Sequence, residues 1–138
     1  MEPGPVAFVL SGGGNMGALQ VGMLRALLER DIVPDIVVGC SVGALNGAAL
    51  AEDPTLAMVD RLEEVWLSLD SRDLVPGGLL PTIVHLDRRG VSMHGNEAFR
   101  DMIARMISAE TFEALTVPFQ AWPPTSPPPG RCGSPQDP

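Results

Sequence analysis

A chain of 138 residues, 45% of them apolar and 19% charged, can bury one core and reads as one globular domain or part of one. Nine Lys and Arg against 17 Asp and Glu leave a formal charge of -8, which excludes net charge as a driving force toward nucleic acid or an anionic membrane, and no nucleic-acid partner is expected. Residues 36–51 carry no charge, but 16 residues that include Ser41, Asn46 and several glycines are too few and too polar to span a bilayer. Met1-Glu2-Pro3 opens neither a basic region nor a cleavable apolar segment, so a cytoplasmic protein is expected.

Residues 6–10 form a short apolar run ending at Ser11 and three glycines, which predicts a buried strand. Val21, Leu24, Leu27 and Leu28 then recur at helical spacing as far as Arg30. Residues 31–34 break that helix, and Ile36, Val37 and Val38, closed by Gly39, predict a second strand. Strand, helix and strand in so short a stretch imply a parallel pair joined by a right-handed crossover.

From Ser41 the small residues Ala44, Gly47, Ala48 and Ala49 permit a helix packed close to the sheet, ending near Asp53 and Pro54. A third helix is predicted over residues 56–69, where Leu62, Val65, Trp66 and Leu69 make a stripe assigned to core packing. Residues 75–91, with Pro76, Gly77, Gly78, Pro81 and Gly90, predict a loop or cap suited to shaping an acyl pocket. A fourth helix over residues 97–107, capped by Asn96, would bury Phe99, Met102, Ile103, Met106 and Ile107. Residues 111–115 predict one more turn before a strand at Val117. Residues 121–138 hold seven of the 14 prolines; no strand is expected there, and the chain divides into a domain portion, residues 1–120, and a disordered tail, residues 121–138.

Gly39-Cys40-Ser41-Val42-Gly43 is a G-x-S-x-G match after a predicted strand and before a predicted helix, the context a nucleophile elbow requires. The glycines are needed because side chains there would collide with the neighbouring strand and helix. The turn lifts the Ser41 hydroxyl from the sheet and sets it at the positive end of the next helix. Gly12-Gly13-Gly14-Asn15-Met16-Gly17 occupies the other strand-to-helix junction. Consecutive glycines let backbone amides converge on an anion, in phosphate loops and oxyanion holes alike.

The same loop satisfies G-x-G-x-x-G, and Asp35 stands 18 residues after Gly17, near the spacing of a ribose-binding acid. A dinucleotide fold places that acid at the end of the second strand, however, whereas Asp35 precedes the strand and the serine motif ends it. The two cysteines, Cys40 and Cys132, suit neither a disulfide framework nor a zinc site. No metal or cofactor is expected. Cys40 is a weaker nucleophile candidate than Ser41, which occupies the elbow position.

With these two motifs and the apolar strand-helix-strand between them, the sequence resembles the patatin-like phospholipase family over residues 6–120, most specifically in the first 50. The resemblance implies a three-layer α/β/α fold with a mainly parallel sheet, incomplete at the C-terminus. It also implies hydrolysis of lipid acyl esters by a Ser-Asp dyad, with Ser41 acylated and the loop from Gly12 to Gly17 as the oxyanion hole. Lipid or another acyl ester is then the expected substrate, met by peripheral membrane contact.

Two departures stand out. Met16 occupies a place where the family often carries a basic residue. The dyad aspartate belongs to an Asp-Gly-Gly or Asp-Gly-Ala motif, and this sequence contains no Asp-Gly pair. His85 and His94 are better suited to surface or capping roles than to that of base, and Asp31, Asp35 and Asp53 to loop and helix boundaries. A second function class is therefore carried forward: a non-catalytic fragment or binding module that retains the oxyanion half-site.

Where the family continues into a strand resembling Val-Ala-Thr-Asp-Leu, this chain reads Ala121-Trp122-Pro123-Pro124-Thr125-Ser126. Permitted codons for that tail, read from the third base of the Ala121 codon, encode Val-Ala-Thr-Asp-Leu. The expectation is a single missing nucleotide near Gln120, with a genuine proline-rich interaction tail as its rival; the genomic sequence separates the two.

Overall fold

The computed structural model describes residues 4–69 and 97–122. Three parallel strands, β1 (Ala7–Leu10), β2 (Ile36–Cys40) and β3 (Phe119–Trp122), lie in that order. Among the described residues four helices accompany them: α1 (Gly17–Leu28), α2 (Val42–Glu52), α3 (Leu56–Ser68) and α4 (Glu97–Met106). The α/β class and parallel pairing match the sequence reading, with Leu10 opposite Gly39 and Gly39 opposite Ala121. Two boundaries differ from it by two residues. Gly39 and Cys40 extend β2, because Gly39 sits inside the ladder. The expected strand at Val117 begins at Phe119 and continues through Ala121 and Trp122, two residues into the segment expected to form none, since the first proline that would remove a ladder donor is Pro123.

Period-two alternation sends Phe8, Leu10 and Val37 to the helical side, where all three are buried. There α2 lies close on the strands: a Cβ at Gly47 would stand 3.0 Å from Val37, 3.3 Å from Phe119 and 3.4 Å from Leu10. Over it pack α1 and α3 through Leu24, Leu62 and Val65. Leu24, Leu50 and Leu62 are almost wholly inaccessible, each contributing about 2 kcal/mol from removing apolar surface from water. Of the stripe expected on α4, Met106 is buried and Met102, Ile103 and Ile107 are half-buried. The Asn96 cap, the Phe99 side chain, the expected cap over residues 75–91 and the tail after residue 122 lie outside the described residues. The opposite sheet face, with Val9 74% and Trp122 59% exposed, is uncovered among the described residues.

The far end of α2 is tied to the segment that leads into β3. Glu52 accepts hydrogen bonds from the Ser108 amide at 3.0 Å and from the Ser108 hydroxyl, and its carbonyl accepts one from the Thr116 hydroxyl at 2.7 Å. Partial burial pushes the Glu52 carboxyl up, but the bonds from Ser108 and the Ala109 amide outweigh it and bring it below its ordinary value of 4.5. A lowered carboxylate stabilises the fold above its unfolded value and loses that contribution as pH falls through the folded one. Glu52→Gln is expected to cost on the order of 0.5–1 kcal/mol at pH 7, given solvent screening. The gap to the parent should close in chemical denaturation as pH drops below 4.5; a constant gap from pH 7 to pH 3 would refute the charged role.

Candidate active site

Ser41 joins β2 to α2 with φ 52° and ψ −125°, a conformation that strains an L-residue by about 1–3 kcal/mol. Its neighbours hold it there. A Cβ at Gly39 would lie 2.5 Å from Ala44 Cα, and one at Gly43 would fall on the carbonyl oxygens of Leu10 and Ser11, the latter at 2.5 Å. Both elbow positions are therefore closed to any side chain, as the sequence motif requires.

Although Ser41 occupies the N-cap position of α2, its hydroxyl does not cap the helix. The third and fourth amides of the helix instead reach the Ser41 carbonyl, from Ala44 at 2.8 Å and Leu45 at 3.3 Å. The side chain is exposed at the end of α2 where the helix dipole is positive. Cys40, the residue before it, is half-buried at the end of β2.

Because β1 and β2 are parallel neighbours in register, the chain leaves both at the same sheet edge. Gly12 passes so near the elbow that a Cβ on it would lie 3.2 Å from Ser41 Cβ and 3.6 Å from the Cys40 carbonyl. Gly14 adopts φ 58°, and a short 3-10 turn, Gly14–Met16, with the Met16 amide on the Gly13 carbonyl at 3.1 Å, leads into α1. Gly13, Asn15 and Met16 are exposed. Outside helices and strands, none of the hydrogen bonds among the described residues uses the Gly12, Gly13 or Gly14 amide as donor. Gly17 is buried against Trp66 and Val42, whose side chains occupy the space a Cβ would need. The two motifs thus abut, Gly12 beside Ser41 at the exposed edge and Gly17 over Val42 in the interior.

The acids behave as boundary residues. Asp35 accepts a hydrogen bond from the Val6 amide at 2.6 Å, at the sheet edge opposite the glycine loop, which removes the geometric basis of a dinucleotide site. Asp53 is the C-cap of α2, and Asp31 takes φ 58° just after α1. His85 and His94 lie outside the described residues. Among the described residues no group of His, Cys, Asp or Glu is arranged to hold a metal ion, and no helix is long and apolar enough to cross a membrane.

Sequence reading missed a polar cluster beneath the loop. Asn46 is fully buried; its Nδ2 donates to the Gly17 carbonyl at 2.9 Å and to Gln20 Oε1 at 3.0 Å. Trp66 Nε1 donates to Asn46 Oδ1 at 3.0 Å, and Gln20 Nε2 to the Ser11 carbonyl at 2.7 Å. Trp66 carries a polar bond besides the packing expected of it. The available signal was an Asn and a Gln on otherwise apolar helix faces.

The patatin-like phospholipase family profile matches residues 8–135. The chain belongs to this family. Its fold is accordingly the patatin-like α/β/α arrangement, of which the described residues supply the parallel sheet and the helices on one face. Patatin-like phospholipase domain-containing protein 7 of Rattus norvegicus is 34% identical over 116 residues, 84% of this chain and 8% of that protein. Patatin-like phospholipase domain-containing protein 6 of Homo sapiens is 30% identical over 114 residues, 83% of this chain and 8% of that protein. Neuropathy target esterase sws of Drosophila sechellia is 41% identical over 61 residues, 44% of this chain and 4% of that protein. The chain thus spans under a tenth of the length of these relatives.

Two glycines of this patatin-like domain make opposite predictions. Gly43→Ala drives a methyl into two backbone carbonyls and should lower stability by more than about 3 kcal/mol or prevent folding. Gly22, exposed in α1 with nothing within 4 Å of a Cβ, should accept alanine with a gain of about 0.5–1 kcal/mol. Thermal melting of both variants checks the pair; a benign Gly43→Ala would show that the elbow is not closed.

Proposed function

We propose that this chain carries the nucleophile half of a serine acyl-ester hydrolase acting on lipid esters. Ser41 Oγ attacks the acyl carbonyl, a base accepts its proton, and the amides of Gly12, Gly13 and Gly14 stabilise the oxyanion of the tetrahedral intermediate. Collapse releases the alcohol and leaves an acyl-serine, which water then cleaves. The single observation that carries the reading is the exposed, strained Ser41 abutting Gly12 at the shared edge of parallel strands. The family name and that of the esterase relative point to the same chemistry. The substrate is met by peripheral contact with a lipid surface on the cytoplasmic side.

One observation favours a second reading, a non-catalytic fragment or binding module: the sequence holds no Asp-Gly pair to match the family's dyad acid. Losing the base typically lowers the rate on the order of 10⁴-fold. The 138-residue chain is therefore expected to turn over short-chain nitrophenyl esters barely above background. A version continued in the shifted frame after Gln120 should hydrolyse them in a Ser41-dependent way. In that version Gly12→Ala, which crowds Ser41 Cβ, should reduce turnover by about 10-fold or more. Equal rates for the continued chain and its Ser41→Ala variant would defeat the nucleophile assignment. Robust Ser41-dependent turnover by the short chain would defeat the missing-base argument.

A further inference from the structure

Polar side chains seldom occupy the interior between packed helices unless their bonds compensate for desolvation. Asn46 on α2 has no exposed surface and Gln20 on α1 is 8% exposed, in a layer otherwise filled by leucine, valine and alanine. A hydrophobic residue would pack there without the penalty of about 1–3 kcal/mol that follows if any partner is lost. What the amides accomplish is therefore to be sought in the groups they hold.

Those groups are the two ends of the glycine loop. Gln20 donates to the carbonyl of Ser11, the residue before Gly12, and Asn46 to the carbonyl of Gly17, the last residue of the motif. The two side chains are joined, Asn46 Nδ2 to Gln20 Oε1, and Trp66 on α3 orients the Asn46 carbonyl oxygen. Asn46 lies on α2, the helix that begins at Val42, immediately after Ser41. A continuous path of hydrogen bonds thus runs from the helix behind Ser41 to both ends of the loop beside it. Three consecutive glycines have wide conformational freedom, so fixing the ends is what limits where their amides stand.

We propose that Gln20 and Asn46 are positioning residues, which hold the loop amides at a fixed distance from Ser41 Oγ; this rests on the hydrolase reading above. Being neutral amides, they add no charge beneath the loop. Misplacing donors by about 1 Å can cost on the order of 10²-fold in rate, so their contribution is to a rate constant and not to substrate capture.

A fluorophosphonate tests this on the version continued in the shifted frame after Gln120, because mass spectrometry counts one covalent event per molecule and needs no turnover. Ser41 Oγ displaces fluoride from phosphorus; the O–P bond forms, the P–F bond breaks, fluoride leaves to solvent and the base accepts the hydroxyl proton. Gln20→Met removes both side-chain hydrogen bonds at similar length, and Trp66→Phe removes the Nε1 donor together with the part of the indole that packs against Gly17. Val59→Ala, a fully buried α3 position outside the network, reports what loss of stability alone does.

Parent protein should be labelled at Ser41 and Ser41→Ala should not. Gln20→Met should lower the limiting labelling rate about 10- to 100-fold with the half-saturating probe concentration unchanged. Trp66→Phe should lower it less, and Val59→Ala should keep the parent limiting rate. Parent-like limiting rates in both Gln20→Met and Trp66→Phe, or equal slowing in Val59→Ala, overturn the positioning role while leaving Ser41 as nucleophile. If Gln20→Met does not fold, Trp66→Phe decides alone. Equal labelling of parent and Ser41→Ala overturns the hydrolase reading and the positioning role with it.

Discussion

The close approach of the first turn of α2 to the end of β1 is the constraint on which the rest of the site depends. Gly43 lies against the carbonyl oxygens of Leu10 and Ser11 with no space for a methyl group. That contact sets the height of α2 above the sheet, and so the turn through which Ser41 must pass. It also sets where the chain leaves β1, and hence how near Gly12 comes to Ser41. Were α2 displaced by one methyl group, Gly47 would leave Val37, Phe119 and Leu10, and the Asn46 bond to Gly17 would lengthen beyond its useful range.

A helix made of small residues achieves proximity at the expense of buried area. The α2 sequence from Gly43 to Ala51 has Leu45 and Leu50 as its only large apolar side chains, so it adds less hydrophobic stabilisation than its central position suggests. The larger contributions come from Leu24 and Leu28 on α1 and from Met58, Val59, Leu62 and Val65 on α3. These helices compress α2 onto the strands, and their packing offsets the backbone strain at Ser41. Stability and site geometry are thus supplied by different helices, joined through Trp66, which packs on the core and also bonds Asn46.

Legibility from sequence followed the range of the interactions concerned. Apolar runs separated by glycine predicted β1 and β2, because a buried parallel strand leaves a continuous local signature. The glycines flanking Ser41 were readable from their spacing, although only Gly39 excludes a side chain by contact within its own strand-turn-helix unit, while Gly43 does so against Leu10 and Ser11 at the end of β1. The Gln20, Asn46 and Trp66 cluster left no such signature: its members are 20 and 26 residues apart, and each is an ordinary helix residue until α1, α2 and α3 are packed together. Ala121 and Trp122 joined β3 against expectation because pairing with Gly39 and Cys40 outweighs the poor strand character of the sequence that follows.

The parts that place Ser41 beside the loop, namely β1, α1, β2 and α2 with Trp66 of α3, form one early βαβα unit of the chain. Within it, parallel register brings two loops to one edge, excluded Cβ atoms fix their spacing, and buried amides hold the loop ends. None of these features requires the base that the proposed hydrolase reading assigns to the Ser41 proton. Proton acceptance is a matter of pKa and reach, whereas oxyanion stabilisation depends on donors held in place before the reaction begins. On the proposed reading the arrangement of nucleophile and donors can therefore exist complete while turnover is negligible. On that reading oxyanion stabilisation and proton acceptance are separable contributions, the first set by the βαβα unit and the second by whatever base is brought to it.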